Sequence, residues 1–187
     1  MSVCAIIVTR GDQLLTPVVA TIPAEWDVLV WDNSVEDDAG VYGRYAAIER
    51  TDAELIYVQD DDCIVSDPAF IVDTFTFITA PADAVICNMP QEFRHSFYVD
   101  HALVGFGAAF HRDAPMRAFR RYAEYFPMED LRMTCDIVFT GLSPRVLVDV
   151  PKLDLPWAHY ETRMWRQPGH LANRVRTLDL VREVASV

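Results

Sequence analysis

The chain is short of lysine. Lys152 is the only one among 16 basic residues, and the other 15 are arginines. Basic residues are scarce throughout the first half, where residues 1 to 93 hold 17 acids and 3 bases, a net charge of −14. Residues 94 to 187 hold 11 acids and 13 bases, a net of +2. A protein that coats nucleic acid through its phosphates needs a basic face, and a chain of net charge −12 does not promise one. Paired cysteines are also missing. Cys4, Cys63, Cys87 and Cys135 are too far apart for a C-x-x-C metal or redox motif. Three of them abut apolar runs, as free thiols packed like small hydrophobes do, which predicts a cytoplasmic protein. Met1 leads straight into a strand-like run without a basic leader, so no secretory signal is expected. No apolar run reaches the ~20 residues of a membrane span, because Asp73, Pro81 and Asp83 interrupt the longest stretches.

What is present points to a folded core. The chain has 187 residues, 51% hydrophobic and 24% charged, a size that buries roughly 70% of the unfolded surface. Val3 to Thr9 is a continuous β-branched run, the pattern of a strand buried on both faces. Asp27 to Trp31 predicts a second buried strand and Glu54 to Gln59 a third. Leu14 to Ile22 and Tyr42 to Arg50 have helical spacing, and Asp67-Pro68 reads as an N-cap followed by proline in the first turn. Further along, Ala84 to Cys87, Leu103 to His111 and Val146 to Val150 read as strands. Glu129 to Leu142 and the tail after Pro168 read as helices. Strands alternating with helices predict a single α/β domain with a mostly parallel central sheet flanked by helices.

Ligands bind such sheets at the carboxyl ends of the strands. Polar clusters fall at three of those ends: Thr9-Arg10-Gly11, Asp32-Asn33-Ser34 and Asp60-Asp61-Asp62. The aspartate triplet is the most telling. Three adjacent carboxylates repel one another, and a strand end facing a crevice cannot solvate them cheaply. A hard divalent cation with oxygen ligands resolves that conflict. In extended chain Asp60 and Asp62 share a side and Asp61 faces away. An EF-hand does not fit DNSVEDDAG from Asp32, which lacks glycine at the sixth place.

The ordered set IIVTRG (6–11), VLVWDNS (28–34), GRYAAI (43–48), YVQDDDCIV (57–65), VGFGAAFHR (104–112) and CDIVFTGLS (135–143) resembles the GT-A glycosyltransferases. The similarity is to exostosin-like or family-two nucleotide-sugar transferases and extends over about 150 residues in order. It implies a nucleotide-binding half over 1–93 and an acceptor and catalytic half over 94–187, closed by a C-terminal lid and helix. It implies Mn²⁺ or Mg²⁺ as cofactor, a UDP- or GDP-sugar donor, and transfer of the sugar to an acceptor. That acceptor could be a glycan, a protein, a small molecule or a modified nucleic acid. By position, Thr9, Arg10, Asp32, Asn33 and Arg44 would meet the nucleotide, Asp60 and Asp61 the ribose or sugar, and the Gly105-x-Gly107 segment would form the donor-sugar and acceptor wall. Asp62 would be the main metal ligand, with Asp60 beside it and a histidine, His159 or His170, from the C-terminal loop. The catalytic carboxylate would be Asp136, with Glu129 and Asp130 of PMEDL as rivals.

Two other activities remain open. A sugar-phosphate nucleotidyltransferase shares an α/β core but wants a glycine-rich basic loop and a catalytic lysine. Here the loop is TRGDQ and the lysine is Lys152 alone. A non-catalytic nucleotide- or carbohydrate-binding domain would need neither.

Overall fold

In the computed structural model, residues 1–127, 131–156, 163 and 166–187 are described. Strand β1 (Val3–Thr9) is central, with β2 (Asp27–Asp32) on one side and β3 (Leu55–Asp60) on the other, both parallel to it. A short β4 (Cys63–Val65) follows β3, then β5 (Val85–Asn88), β6 (Ala108–His111), β7 (Arg145–Val148) and β8 (Lys152–Asp154). The main sheet runs β2-β1-β3-β6-β5-β7, and β4 pairs with β8 in a separate antiparallel ribbon. Only β6 runs against its neighbours β3 and β5; β5 and β7 are parallel.

Side-chain alternation splits the interior in two. Cys4, Ile6, Val8, Ile56, Val58, Val85 and Cys87 pack into one core cluster, while Ala5, Leu55, Tyr57 and Ile86 pack into the other. These are the two faces of one pleated sheet. Helices α4 (Ala114–Ala123), α5 (Leu131–Leu142) and α6 (His170–Ala185) supply Phe119, Phe139 and Val181 to the first face. Helix α3 (Pro68–Phe77) covers the second with Ile71, Val72 and Phe75. The fold is therefore the single α/β domain that the strand pattern predicts, with a mostly parallel central sheet flanked by helices. Among the described residues, no helix is long and apolar enough to cross a membrane.

The start of α3 is as read from the sequence. Asp67 Oδ1 accepts from the Phe70 amide at 3.0 Å, and Pro68 opens the helix. Other elements differ. β2 is an edge strand, so only Trp31 is buried and Val28 and Val30 stay partly exposed, where a strand buried on both faces was expected. Of the run Leu103 to His111, only Ala108–His111 is strand. Gly107 has φ 102, a left-handed bend that breaks the extension before it. Leu14 to Ile22 condenses to a four-residue α1 (Thr16–Val19). Tyr42 to Arg50 becomes a 3-10 turn, α2 (Gly43–Ala46) and a second 3-10 turn.

Candidate active site

The chain leaves β1 for β2 on one side and returns to β3 on the other. The order therefore reverses around β1, and a crevice opens beyond the carboxyl ends of these strands. Register brings the three polar clusters to that edge: Thr9 pairs with Asp32, and Val8 with Asp60. Two cavities meet there. A narrow one of about 110 Å³ is lined by Thr9, Arg10, Asn33, Gly40, the three aspartates and Arg163. A larger cleft of about 430 Å³ shares Asp60, Asp62 and Val41 with it and adds Arg44, Gly105, Phe106, Asp136, Lys152, His170 and Arg174. Strand β3 ends at Asp60 and the chain turns at Asp61 and Asp62, so the extended alternation read from the sequence does not apply: all three line the narrow cavity, and Asp60 and Asp62 line the cleft as well.

Arg44 joins the two halves of the protein. It is 1% exposed, and its guanidinium reaches Asp60 Oδ1 at 2.5 Å through Nη2 and Asp136 Oδ2 at 3.2 Å through Nη1. Tyr45, next in sequence, donates its hydroxyl to Asp136 Oδ1 at 2.7 Å. Consecutive residues of α2 thus hold both oxygens of a carboxylate on α5. Arg44 lines the larger cleft and not the narrow cavity.

The acids outnumber their cations. Burial pushes the Asp60 carboxyl up to about 6; Asp62 and Asp136 add to this, against Arg44 and Arg163. Asp61 is 4% exposed and also raised, by burial first and then by Asp60 and Asp12, against a hydrogen bond from Thr9 and the charge of Arg163. Its Oδ2 is buried without a hydrogen-bond partner among the described residues. Arg163 Nη1 stands 3.5 Å from Asp61 Oδ1 and 3.9 Å from Asp62 Oδ2. No three of His, Cys, Asp and Glu are grouped as a metal cluster among the described residues.

The remaining sequence candidates separate. Asp32 is spent on its own turn, accepting from the Ser34 amide at 2.8 Å and the Ser34 hydroxyl at 2.6 Å. Asn33 lines the narrow cavity while stapling the following loop, accepting from the Ala39 amide and donating to the Gly40 carbonyl. Thr9 Oγ1 accepts from the Gly11 amide at 3.0 Å. His170 opens α6 at the cleft, its Nδ1 buried without a partner among the described residues and its basicity lowered by burial and by Arg174. Glu129, Asp130 and His159 lie outside the described residues.

Gly107 is not at the cleft wall. A Cβ there would stand 3.0 Å from Tyr57 Oη and Ile71 Cδ1, on the α3 side of the sheet. The wall glycine is Gly105, where a Cβ would fall 2.0 Å from Asp60 Oδ2. Gly105→Ala should therefore displace Asp60 from Arg44 and cost about 2 kcal/mol, the range for overpacking. Denaturant unfolding checks this; stability within error of the wild type would contradict the contact. Tyr45 carries no signal in the sequence beyond its place in the helical run Tyr42 to Arg50. Lys152 lies in the cleft, its ammonium 4.1 Å from the Phe106 ring centroid and paired with Asp154.

No protein-family model matches the sequence, and no curated protein matches it by sequence. Solved structures match by fold. Protein A197 from STIV superposes with a TM-score of 0.55 at 15% identity, covering 84% of this chain and 87% of that one. Residues 1–349 of S. aureus TarS superpose with a TM-score of 0.55 at 11% identity over 97% of this chain and 65% of that one. The same fragment in complex with UDP gives 0.53 at 13% identity, with 98% and 65% covered. The chain thus shares its fold with A197 and with the TarS fragment, and it spans about two thirds of that fragment.

Proposed function

We propose that the protein is a metal-dependent glycosyltransferase that moves a sugar from a UDP- or GDP-sugar to a separate acceptor. The observation that carries this reading is the meeting of two cavities at Asp60 and Asp62, with Asp136 tied to the same point through Arg44. The nucleotide would occupy the narrow cavity against Thr9, Arg10, Asn33 and Asp61. The sugar and acceptor would occupy the larger cleft. A fold neighbour was crystallised in complex with UDP, which supports a nucleotide as ligand.

The donor set suits Mn²⁺ or Mg²⁺. The Asp60 and Asp62 side chains are 34% and 22% exposed, and both face the two cavities. Two carboxylates plus substrate phosphates are a common way to hold such an ion. Asp62 would be the main ligand, with Asp60 or His170 beside it. When bound, the cation would stabilise the negative charge of the departing diphosphate.

The chain's own residues do the rest. Arg44 and Tyr45 take one lone pair on each Asp136 oxygen, which fixes the carboxylate plane. Oδ1 also accepts from the Cys135 thiol at 3.8 Å, and the carboxylate lines the cleft, where Asp136 would accept the proton of the acceptor hydroxyl as that oxygen attacks the sugar carbon. Arg44 holds Asp60 and Asp136 together without neutralising both. Asp136→Asn should keep metal-dependent UDP or GDP affinity and lower release of the diphosphate by about 100-fold or more. Retained turnover would pass the role to Glu129 or Asp130, which Glu129→Gln and Asp130→Asn would then locate.

One observation keeps nucleotidyl transfer as a second reading: the only lysine, Lys152, lines the cleft that Asp60 and Asp62 share. Pyrophosphate released from a nucleoside triphosphate and a sugar 1-phosphate would select it over diphosphate released from a nucleotide-sugar. Binding without either product would mark a non-catalytic domain.

A further inference from the structure

The charges of the larger cleft do not all cancel locally. Arg44 is answered by Asp60 and Asp136, and Lys152 by Asp154. Asp62 faces Arg163. That leaves Arg174, on the second turn of α6, which lines the cleft with no carboxylate partner among the described residues. Its contacts are a ring and an imidazole: the guanidinium lies 5.9 Å from the Phe97 centroid, and Nη2 is 3.2 Å from His101 Nε2.

The imidazole contact has a defined sense. Arginine can only donate, so His101 Nε2 accepts and the ring proton sits on Nδ1. His101 is 1% exposed, and burial together with Arg174 and Arg145 lowers its pKa to about 3. The ring therefore stays neutral and orients the guanidinium without discharging it. Nη2 is engaged by the imidazole, and among the described residues the guanidinium makes no other hydrogen bond where it lines the cleft. A guanidinium fork matches the paired oxygens of a phosphate or carboxylate. Lys152, though paired with Asp154, brings a second cation to the same cleft, its ammonium 4.1 Å from the Phe106 centroid and 5.9 Å from that of Phe93.

We propose that Arg174, positioned by His101 and assisted by Lys152, recognises an oxyanion, phosphate or carboxylate, carried by the molecule that accepts the sugar. This rests on the transferase reading for the word acceptor; the anion site itself does not. The other source of such chemistry is the donor's own diphosphate. It is disfavoured because neither Arg174 nor Lys152 lines the nucleotide-side cavity. The carboxylates Asp60, Asp62, Asp136 and Asp154 line the same cleft, so the anion would be held against Arg174 rather than beside them.

The test is calorimetric titration of inorganic phosphate into the full chain, alone and with saturating UDP and Mg²⁺, for the wild type, Arg174→Gln and Arg174→Lys. Circular dichroism confirms that each variant is folded. Phosphate should bind whether or not UDP is present. Arg174→Gln should weaken phosphate about tenfold or more and leave UDP within about twofold, with Arg174→Lys between. Phosphate affinity unchanged in Arg174→Gln would overturn the inference, as would UDP displacing phosphate and losing affinity in the same variant. UDP binding without any phosphate binding would overturn this inference alone. Phosphate binding at Arg174 without any nucleotide binding would uphold the anion site and overturn the transferase reading.

Discussion

Asp62→Ala should abolish metal-dependent binding of UDP or GDP while leaving the protein folded. The Asp62 side chain is 22% exposed and borders both cavities, and its carboxylate adds to the crowding that raises Asp60. Removing it takes away the proposed main ligand and also relieves repulsion. Affinity for the Mn²⁺–nucleotide pair should therefore fall about 100-fold or more, as loss of a metal ligand outweighs loss of an outer partner. The melting temperature without metal should stay level or rise. An unchanged Mn²⁺-dependent affinity would remove Asp62 from the site. Binding lost together with a large drop in melting temperature would show that Asp62 acts by holding the fold instead.

Arg44→Met should be the most destabilising change at the site. Methionine keeps much of the side-chain volume but leaves Asp60 and Asp136 facing each other without their shared cation. Breaking a buried pair by removing one partner costs about 3–5 kcal/mol. The Asp60 side chain is 34% exposed, so the low end, about 3 kcal/mol, is expected. For a chain of this length that lowers the melting temperature by roughly 6–12 °C. The pH dependence gives the sign. The Asp60 carboxyl, already up at about 6, would rise further once Arg44 is gone. A raised folded pKa means that stability is fully present below the unfolded pKa, near 4, and is lost as pH rises through the folded value. The defect of Arg44→Met should therefore be small at pH 5 and largest at pH 8. The double variant Arg44→Met, Asp136→Asn should recover part of it. A defect independent of pH, or none at all, would mean that Arg44 serves packing alone.

The sequence made local features legible and left distant ones hidden. Val3 to Thr9 announces itself because a strand buried on both faces needs an unbroken apolar run. Asp67-Pro68 is readable because a cap is made within four residues. The Asp60 to Asp62 triplet stands out because adjacent carboxylates at a strand end need an explanation. The Arg44 bridge to Asp136 spans 92 positions and has no local signature in the sequence. The two glycines of VGFGAAF are alike in the sequence. Only the approach of Asp60 shows that Gly105 borders the cleft while Gly107 serves a left-handed bend. Lys152 is brought to the cleft by the β4–β8 ribbon, a pairing between segments more than 80 residues apart that no periodicity reveals. β2 read as buried because apolar alternation does not say whether a strand lies at an edge.

The central claim is that one site joins a nucleotide cavity to a sugar cleft through metal-binding carboxylates. Calorimetric titration of the wild type with UDP and with GDP, each with Mn²⁺ and with EDTA, tests it most directly. One of the two diphosphates should bind with Mn²⁺, and its affinity should fall about 100-fold with EDTA. Equal affinity with and without the metal, or no binding of either nucleotide under any condition, would contradict the account.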